Sequence, residues 1–101
     1  MSIRFEWDEA KNRANQKKHV VSFKEASQVF RDPLHRSAPD RVEDGERRWT
    51  TFGLVGGFAI LMVAHTLTEE DAEGAPREVV RIISARRADR SERRRYENEN
   101  D

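Results

Sequence analysis

Apolar residues fall in short clusters separated by charged stretches, and the spacing within each cluster predicts an element. Ile3-Arg4-Phe5-Glu6-Trp7 alternates apolar and charged side chains, the period of a short strand with one buried face. Asp8 is placed as the N-cap of a helix from about Glu9 to Lys18, rich in Ala, Lys, Asn and Gln. Its apolar face is thin, essentially Ala10 and Ala14, which leaves Lys11, Arg13, Lys17 and Lys18 for water or a ligand. Ser22-Phe-Lys-Glu25 is a capping box, with Val21 and Ala26 spaced as a hydrophobic staple. The helix it opens carries Phe23, Ala26 and Phe30 on one stripe, the pattern of a core contact, and ends at Asp32-Pro33.

Residues 34–48 are polar and broken by Pro39 and Gly45, an excursion with room for a short edge strand. Two strand-like runs follow, Arg48 to Val55 and Phe58 to Thr66, separated by Gly56-Gly57, a hairpin signal. A two-residue loop puts Phe52 and Leu54 on one face with Leu61 and Val63, and Trp49 on the other with Phe58, Ile60 and Met62. Both faces are then apolar, and two small helices cover only one of them well, which leaves a face for loops or a protein partner. Glu69 to Gly74, with Pro76, reads as a solvated acidic loop. Val79 to Ile83 is a β-branched strand that runs on to Asp89-Arg-Ser-Glu92, a cap for a final short helix and a fraying polar tail. The class is α+β, with helices packed on one face of an antiparallel sheet in one domain spanning residues 1–101.

Net charge is zero, so charge becomes informative only when it is located. Residues 69–78 carry −4 and residues 97–101 carry −3. Against them, Arg81 to Tyr96 holds seven arginines and two acids. The absence of cysteine removes disulfides and thiolate metal sites. The longest apolar run, Phe58 to Ala64, is too short to span a membrane, and a soluble cytoplasmic protein is expected. There is no Gly-rich phosphate loop, no paired His at ligand spacing and no Ser-His-Asp signature, so no metal or cofactor is expected.

What remains is a basic site. Lys17, Lys18 and His19 end the first helix, while Arg86, Arg87, Arg90, Arg93, Arg94, Arg95 and Tyr96 close the chain. Guanidinium groups present forked donors that suit phosphate. Fixed cations with an imidazole could promote attack of an RNA 2′-hydroxyl on its own phosphodiester without a metal. Such a site requires the arginines, Tyr96 and the Lys18 corner to converge on one pocket. Blander roles compete: His19 and the basic helix end can cap carbonyls, Arg93 can pair with Glu97, His65 can be structural, and Trp7 and Trp49 can be packing residues.

Several motifs together resemble the BrnT family. They are Phe5-Glu-Trp7-Asp8, then Lys11, Asn15, Lys18-His19, Phe23, Ala26 and Phe30-Arg-Asp-Pro33, with Glu46-Arg-Arg-Trp49, Val63-Ala-His65-Thr66, and Arg81-Ile-Ile-Ser-Ala-Arg86 running to Glu92-Arg-Arg-Arg-Tyr96-Glu97. The resemblance implies a small RelE-like fold, with a sheet of three to five antiparallel strands, two N-terminal helices on one face and a short C-terminal helix. It implies a ribonuclease toxin of a type II toxin–antitoxin system that stops translation. The partner would be a BrnA-like ribbon-helix-helix antitoxin, in a hetero-oligomer repressing its own promoter through operator DNA. Carried onto matching positions, it implicates His19, Arg86, Arg94 and Tyr96 in catalysis and Lys18, Arg87 and Arg90 in RNA binding. A non-catalytic subunit that binds nucleic acid or antitoxin is the rival reading. The family reads Lys-His-Gly where this chain has Lys18-His19-Val20. A left-handed helix end suits glycine and strains a β-branched residue, so the first helix is expected to end differently here. The acidic stretch at 69–76 is also longer than the family pattern.

Overall fold

A computed structural model describes residues 2–99. The elements run β1 (Ile3–Glu6), α1 (Glu9–His19), α2 (Phe23–Ser27), a 3-10 helix (Gln28–Arg31), β2 (Arg36–Glu43), β3 (Glu46–Val55), β4 (Ala59–Ala72), β5 (Ala75–Arg87) and α3 (Arg90–Glu99). The strands form one sheet in the order β1-β5-β4-β3-β2. It is mixed rather than purely antiparallel, because β1 runs parallel to β5. The end of the tail, Asn100 and Asp101, lies outside the described residues, and Glu97 to Glu99 are helical rather than frayed.

The main core is formed by Val21, Phe23, Ala26 and Val29 of the α2 region against Leu61, Val63, Val80, Ile82 and Ala85 of the sheet. The capping box forms as spaced: Ser22 Oγ accepts from the Glu25 amide at 3.0 Å and Glu25 Oε1 accepts from the Ser22 amide at 3.1 Å. Gly53 is where β3 meets the 3-10 helix, and a Cβ there would stand 2.6 Å from Val29 Cγ1 and 2.7 Å from the Val29 carbonyl oxygen. Nothing flexible can yield to such a contact, so the approach needs glycine. His65 is buried and structural: its Nδ1 lies 3.1 Å from the Thr66 carbonyl and its Nε2 2.7 Å from Thr51 Oγ1. With Nδ1 donating, Nε2 accepts from the threonine, and burial pushes the imidazole pKa down.

Four expectations change. First, Ala10 and Ala14 are exposed, and the buried residues of α1 are Asn12 and Asn15. β1 stops beside Arg81, leaving the next part of β5 without a partner strand on that side. Asn15 fills the gap: its Oδ1 accepts from the Ala85 amide at 3.1 Å, while its Nδ2 donates to the carbonyls of Ala85 at 2.8 Å and Val21 at 2.9 Å. A carboxamide has the donor and acceptor of a peptide bond, so it continues the ladder that an alanine face could not.

Second, the β3–β4 hairpin has a three-residue turn, since Val55 pairs with Ala59 and Leu54 with Ile60. Gly56 and Gly57 both take left-handed φ, and Phe58 joins the turn. The register therefore shifts by one from a two-residue loop. Phe52 and Leu54 share a face with Ile60 and Met62, while Leu61 and Val63 face the α2 region opposite Gly53 and Thr51. Third, the acidic stretch is strand rather than loop: β4 runs to Ala72 and turns through Glu73-Gly74 into β5. Glu70 sits between Arg4, with Nη2 at 3.0 Å, and Arg77, with Nε at 3.0 Å, and these guanidiniums hold its carboxyl at a pKa of about 2. The polar excursion likewise contains an eight-residue edge strand, β2, whose pairing is broken between Pro39 and Val42. Proline and a bulge make that edge a poor template for another strand.

Fourth, α1 ends at His19 with Val20 at φ 59°, ψ 24°, and the Val20 amide donates to the Gln16 carbonyl at 2.9 Å. The β-branched residue adopts the glycine geometry after all. Its side chain is 84% exposed, so little packing offsets a left-handed cost of about 1–2 kcal/mol. Val20→Gly is expected to stabilise the protein by about 1 kcal/mol, raising Tm by roughly 4–8 °C in a thermal melt. An unchanged or lower Tm would show that Val20 carries no strain.

Candidate functional site

The β5–α3 junction is built from the inside outward. Val79, Val80 and Ile82 are buried and fix the direction of β5, and Ala88 continues the chain beneath the Ile60 carbonyl, donating to it at 2.9 Å. Asp89 and Glu92 then cap α3 reciprocally, each carboxylate accepting from the other's amide, at 2.8 and 2.9 Å. α3 lies on the sheet face opposite the main core, where Ala88 and Tyr96 pack with Ile60 and Phe52.

Three carboxylates hold this helix in place. Glu92 accepts from Arg86 Nη1 at 2.7 Å and Nη2 at 3.0 Å, a two-point pair. The hydrogen bond raises the arginine pKa and lowers that of the glutamate. Glu99 accepts from Arg36 Nε at 3.0 Å, tying the end of α3 to β2. Asp32, at the end of the 3-10 helix, accepts from the Leu34 amide at 2.9 Å, the Leu54 amide at 2.7 Å and the Tyr96 hydroxyl. Burial pushes the Asp32 carboxyl up, but its three donors outweigh burial and hold it below the usual carboxylate range. Burial and the facing carboxylate push the Tyr96 phenol up to about 12.

With Glu92, Glu99 and Asp32 engaged, the exposed surface of the junction is predominantly cationic, with Asp89 and Glu97 the exposed acids beside the arginines. Arg87, Arg90, Arg93, Arg94 and Arg95 are exposed, and none of their guanidiniums is ion-paired with another described residue. The expected Arg93–Glu97 pair is not formed among the described residues. Beside α3, a cleft of about 350 Å³ runs toward β2, lined by His35, Arg36, Ser37, Phe52, Arg95 and Glu99.

The expected convergence on one pocket is not what the structure has. Arg86 points to the α3 face but its Nη atoms are held by Glu92, and Tyr96, 8% exposed, gives its hydroxyl to Asp32. Neither is presented to a phosphate in this conformation. Arg87, Arg90 and Arg94 are exposed at the junction. Lys18 is exposed and His19 half-buried, both one turn beyond Asn15 and thus past its anchor at Ala85. Neither forms a hydrogen bond or ion pair with the arginines among the described residues. Asp32 was legible as a helix stop before proline and as part of the Phe30-Arg-Asp-Pro33 motif, and Arg36 only as part of a polar stretch. No local signal joins either to a helix some sixty residues later.

A family model described as "Ribonuclease toxin, BrnT, of type II toxin-antitoxin system" matches residues 7–92. The chain belongs to the BrnT family. Among solved structures, the chain is similar to the 1.1 Å crystal structure of the Brucella abortus ribonuclease toxin BrnT, with a TM-score of 0.56 and 20% identity, covering 89% of this chain and all of that one. At that identity the likeness is one of fold: α+β, with a five-stranded mixed sheet and three α-helices in this chain. No curated protein matches. BrnT membership brings a ribonuclease activity, an RNA substrate and an antitoxin partner. The match stops at Glu92, so Arg93 to Tyr96 lie beyond it. No helix among the described residues is long and apolar enough to cross a membrane.

Tyr96 is the chain's one tyrosine, so phenolate absorbance reports it alone. The folded protein should titrate with a midpoint near 12, and the protein unfolded in urea near the reference value of about 10. Because the folded pKa is the higher one, this contribution to stability is complete below pH 10 and disappears between pH 10 and 12. Titration of the folded protein at the unfolded midpoint would mean that the hydroxyl is not held by Asp32.

Proposed function

We propose that this BrnT chain is an endoribonuclease that cleaves RNA without a metal ion, by attack of the substrate's 2′-hydroxyl on the adjacent phosphorus. The P–O5′ bond breaks as the new P–O2′ bond forms, giving a 2′,3′-cyclic phosphate and a free 5′-hydroxyl. One proton leaves the nucleophile and one reaches the leaving oxygen. The observation that carries the reading is the set of exposed arginines at the β5–α3 junction without ion-pair partners among the described residues, beside Glu92 and Glu99 of the same helix, which pair with Arg86 and Arg36. Fixed guanidiniums stabilise the charge that builds on phosphorus and carry no sequence preference of their own.

In this reading Arg87 and Arg90 hold the RNA backbone and Arg94 faces the developing phosphorane charge. Because the free protein does not gather these arginines in one pocket with Lys18 and His19, the bound RNA itself bridges the two groups. His19 exchanges protons with the reacting oxygens, a role worth about 10²- to 10⁴-fold. Arg86 joins the site when the phosphate competes with Glu92 for its Nη atoms. Tyr96 acts through position, holding the helix that carries Arg94. The antitoxin is read as a BrnA-like ribbon-helix-helix protein that covers this basic face in a hetero-oligomer and brings it to operator DNA. A RelE-like toxin acting on translation in the cytoplasm fits that arrangement.

The test is cleavage of single-stranded RNA in excess EDTA, with the product ends identified by mass spectrometry. The expected result is a cyclic phosphate at full rate, with His19→Ala slowed about 10²- to 10⁴-fold and Arg86→Ala also impaired. Loss of activity in EDTA, or full activity in both variants, would refute the mechanism. Salt-dependent RNA binding with no product would favour the non-catalytic binding subunit.

A further inference from the structure

We propose that Phe58 is a stacking platform for an unpaired nucleobase of the RNA, with Arg87 and Arg93 holding the phosphate beside that base. The inference rests on the RNA reading of the basic face and adds to it a recognition subsite that the arginines alone do not supply. Phe58 is 82% exposed at the tip of the β3–β4 hairpin, where its ring contributes little to folding. Gly56 and Gly57 take φ of 68° and 81°, and the Phe58 ring leans on the first of them: a Cβ on Gly56 would lie 3.4 Å from Phe58 Cε1. The ring therefore lies within van der Waals reach of the turn that projects it.

The surroundings set the chemistry. Phe58 borders a groove of about 60 Å³ completed by Ala59, Ile60, Arg87, Ala88 and Arg93. The two arginines are its charged groups, no carboxylate lines it, and neither guanidinium is ion-paired with another described residue. An exposed ring beside two such cations matches a nucleotide, whose base has a π-face and whose phosphate is one covalent unit away. The opposing candidate is an apolar side chain of a protein partner. Interface anchors seek deep pockets that exclude water, whereas this groove is shallow and its mouth is cationic. A base needs only the face of the ring, so the groove's small volume is no obstacle to it.

The experiment is fluorescence anisotropy with a labelled single-stranded oligoribonucleotide carrying 2′-O-methyl sugars, which cannot supply the attacking hydroxyl. Phe58→Ala is expected to weaken binding about 5- to 150-fold without altering the salt dependence, and Phe58→Trp to preserve or tighten it. Arg87→Ala and Arg93→Ala should each weaken binding and reduce the slope of log affinity against log salt by roughly 0.7. Unchanged affinity in Phe58→Ala, while the parent protein binds, would overturn the platform and leave the RNA reading standing. Full affinity in Phe58→Leu would overturn it as well, since leucine fills space and cannot stack. No binding by the parent protein would remove the RNA reading and the platform together. If Phe58→Ala binds the oligonucleotide normally but no longer binds the antitoxin, the ring serves a protein partner and the proposal is wrong.

Discussion

The Asp32 carboxylate is where three parts of the molecule meet. It accepts from Leu34 just after it, from Leu54 near the end of β3, and from Tyr96 on α3. Hydrogen bonds to a charged acceptor contribute about 1.5–3 kcal/mol each, and a buried carboxylate left without them is expensive. Around this hub the structure is over-determined. Gly53 admits the 3-10 helix, that helix delivers Asp32, and Asp32 receives a tyrosine from the far end of the chain. α3 has one buried residue, Tyr96, so its attachment depends on that hydroxyl and on the ion pairs of Glu92 and Glu99.

That attachment gives a neutral protein a strongly cationic feature. Glu92 and Glu99 of α3 neutralise Arg86 and Arg36, and the exposed arginines of the helix have no ion-pair partner among the described residues. Inward pairing and outward exposure are two consequences of the same helix orientation. It also separates the groups that hold the fold from those available to RNA. Tyr96 and Arg86 serve the first purpose in this conformation, while Arg87, Arg90, Arg93 and Arg94 are free for the second. At one edge of the sheet Pro39 and a bulge interrupt β2, and toward the other Asn15 satisfies the part of β5 that β1 leaves uncovered.

What could be read from the sequence was local. The capping boxes at Ser22 and Asp89, the core stripe of the second helix and the β-branched run of β5 all follow from contacts within a few residues. The failures were non-local or depended on one backbone angle. Two glycines marked the β3–β4 turn correctly, but whether Phe58 belonged to the turn decided the register of every pair behind it. The helix face was read as Ala10 and Ala14 rather than Asn12 and Asn15, because the partners of the asparagines, Phe23 and Ala85, lie on other elements. The acidic run of 69–72 forms strand because Arg4 and Arg77 neutralise Glu70 across the sheet. Val20 was read as a departure from the family's glycine, yet the helix end kept its shape and the residue took the strain. For the site, the sequence located the cations and left open which were already occupied by the protein's own acids.

The docking of α3 through Tyr96 is most directly tested by amide hydrogen exchange, comparing the parent protein with Tyr96→Phe, which keeps the ring and removes the hydroxyl. The α3 amides should lose protection by about tenfold or more, while those of β4 and β5 keep the slowest exchange in the molecule. If α3 exchanges in Tyr96→Phe as slowly as in the parent protein, the Asp32 contact does not hold the helix, and the orientation of its arginines must have another cause.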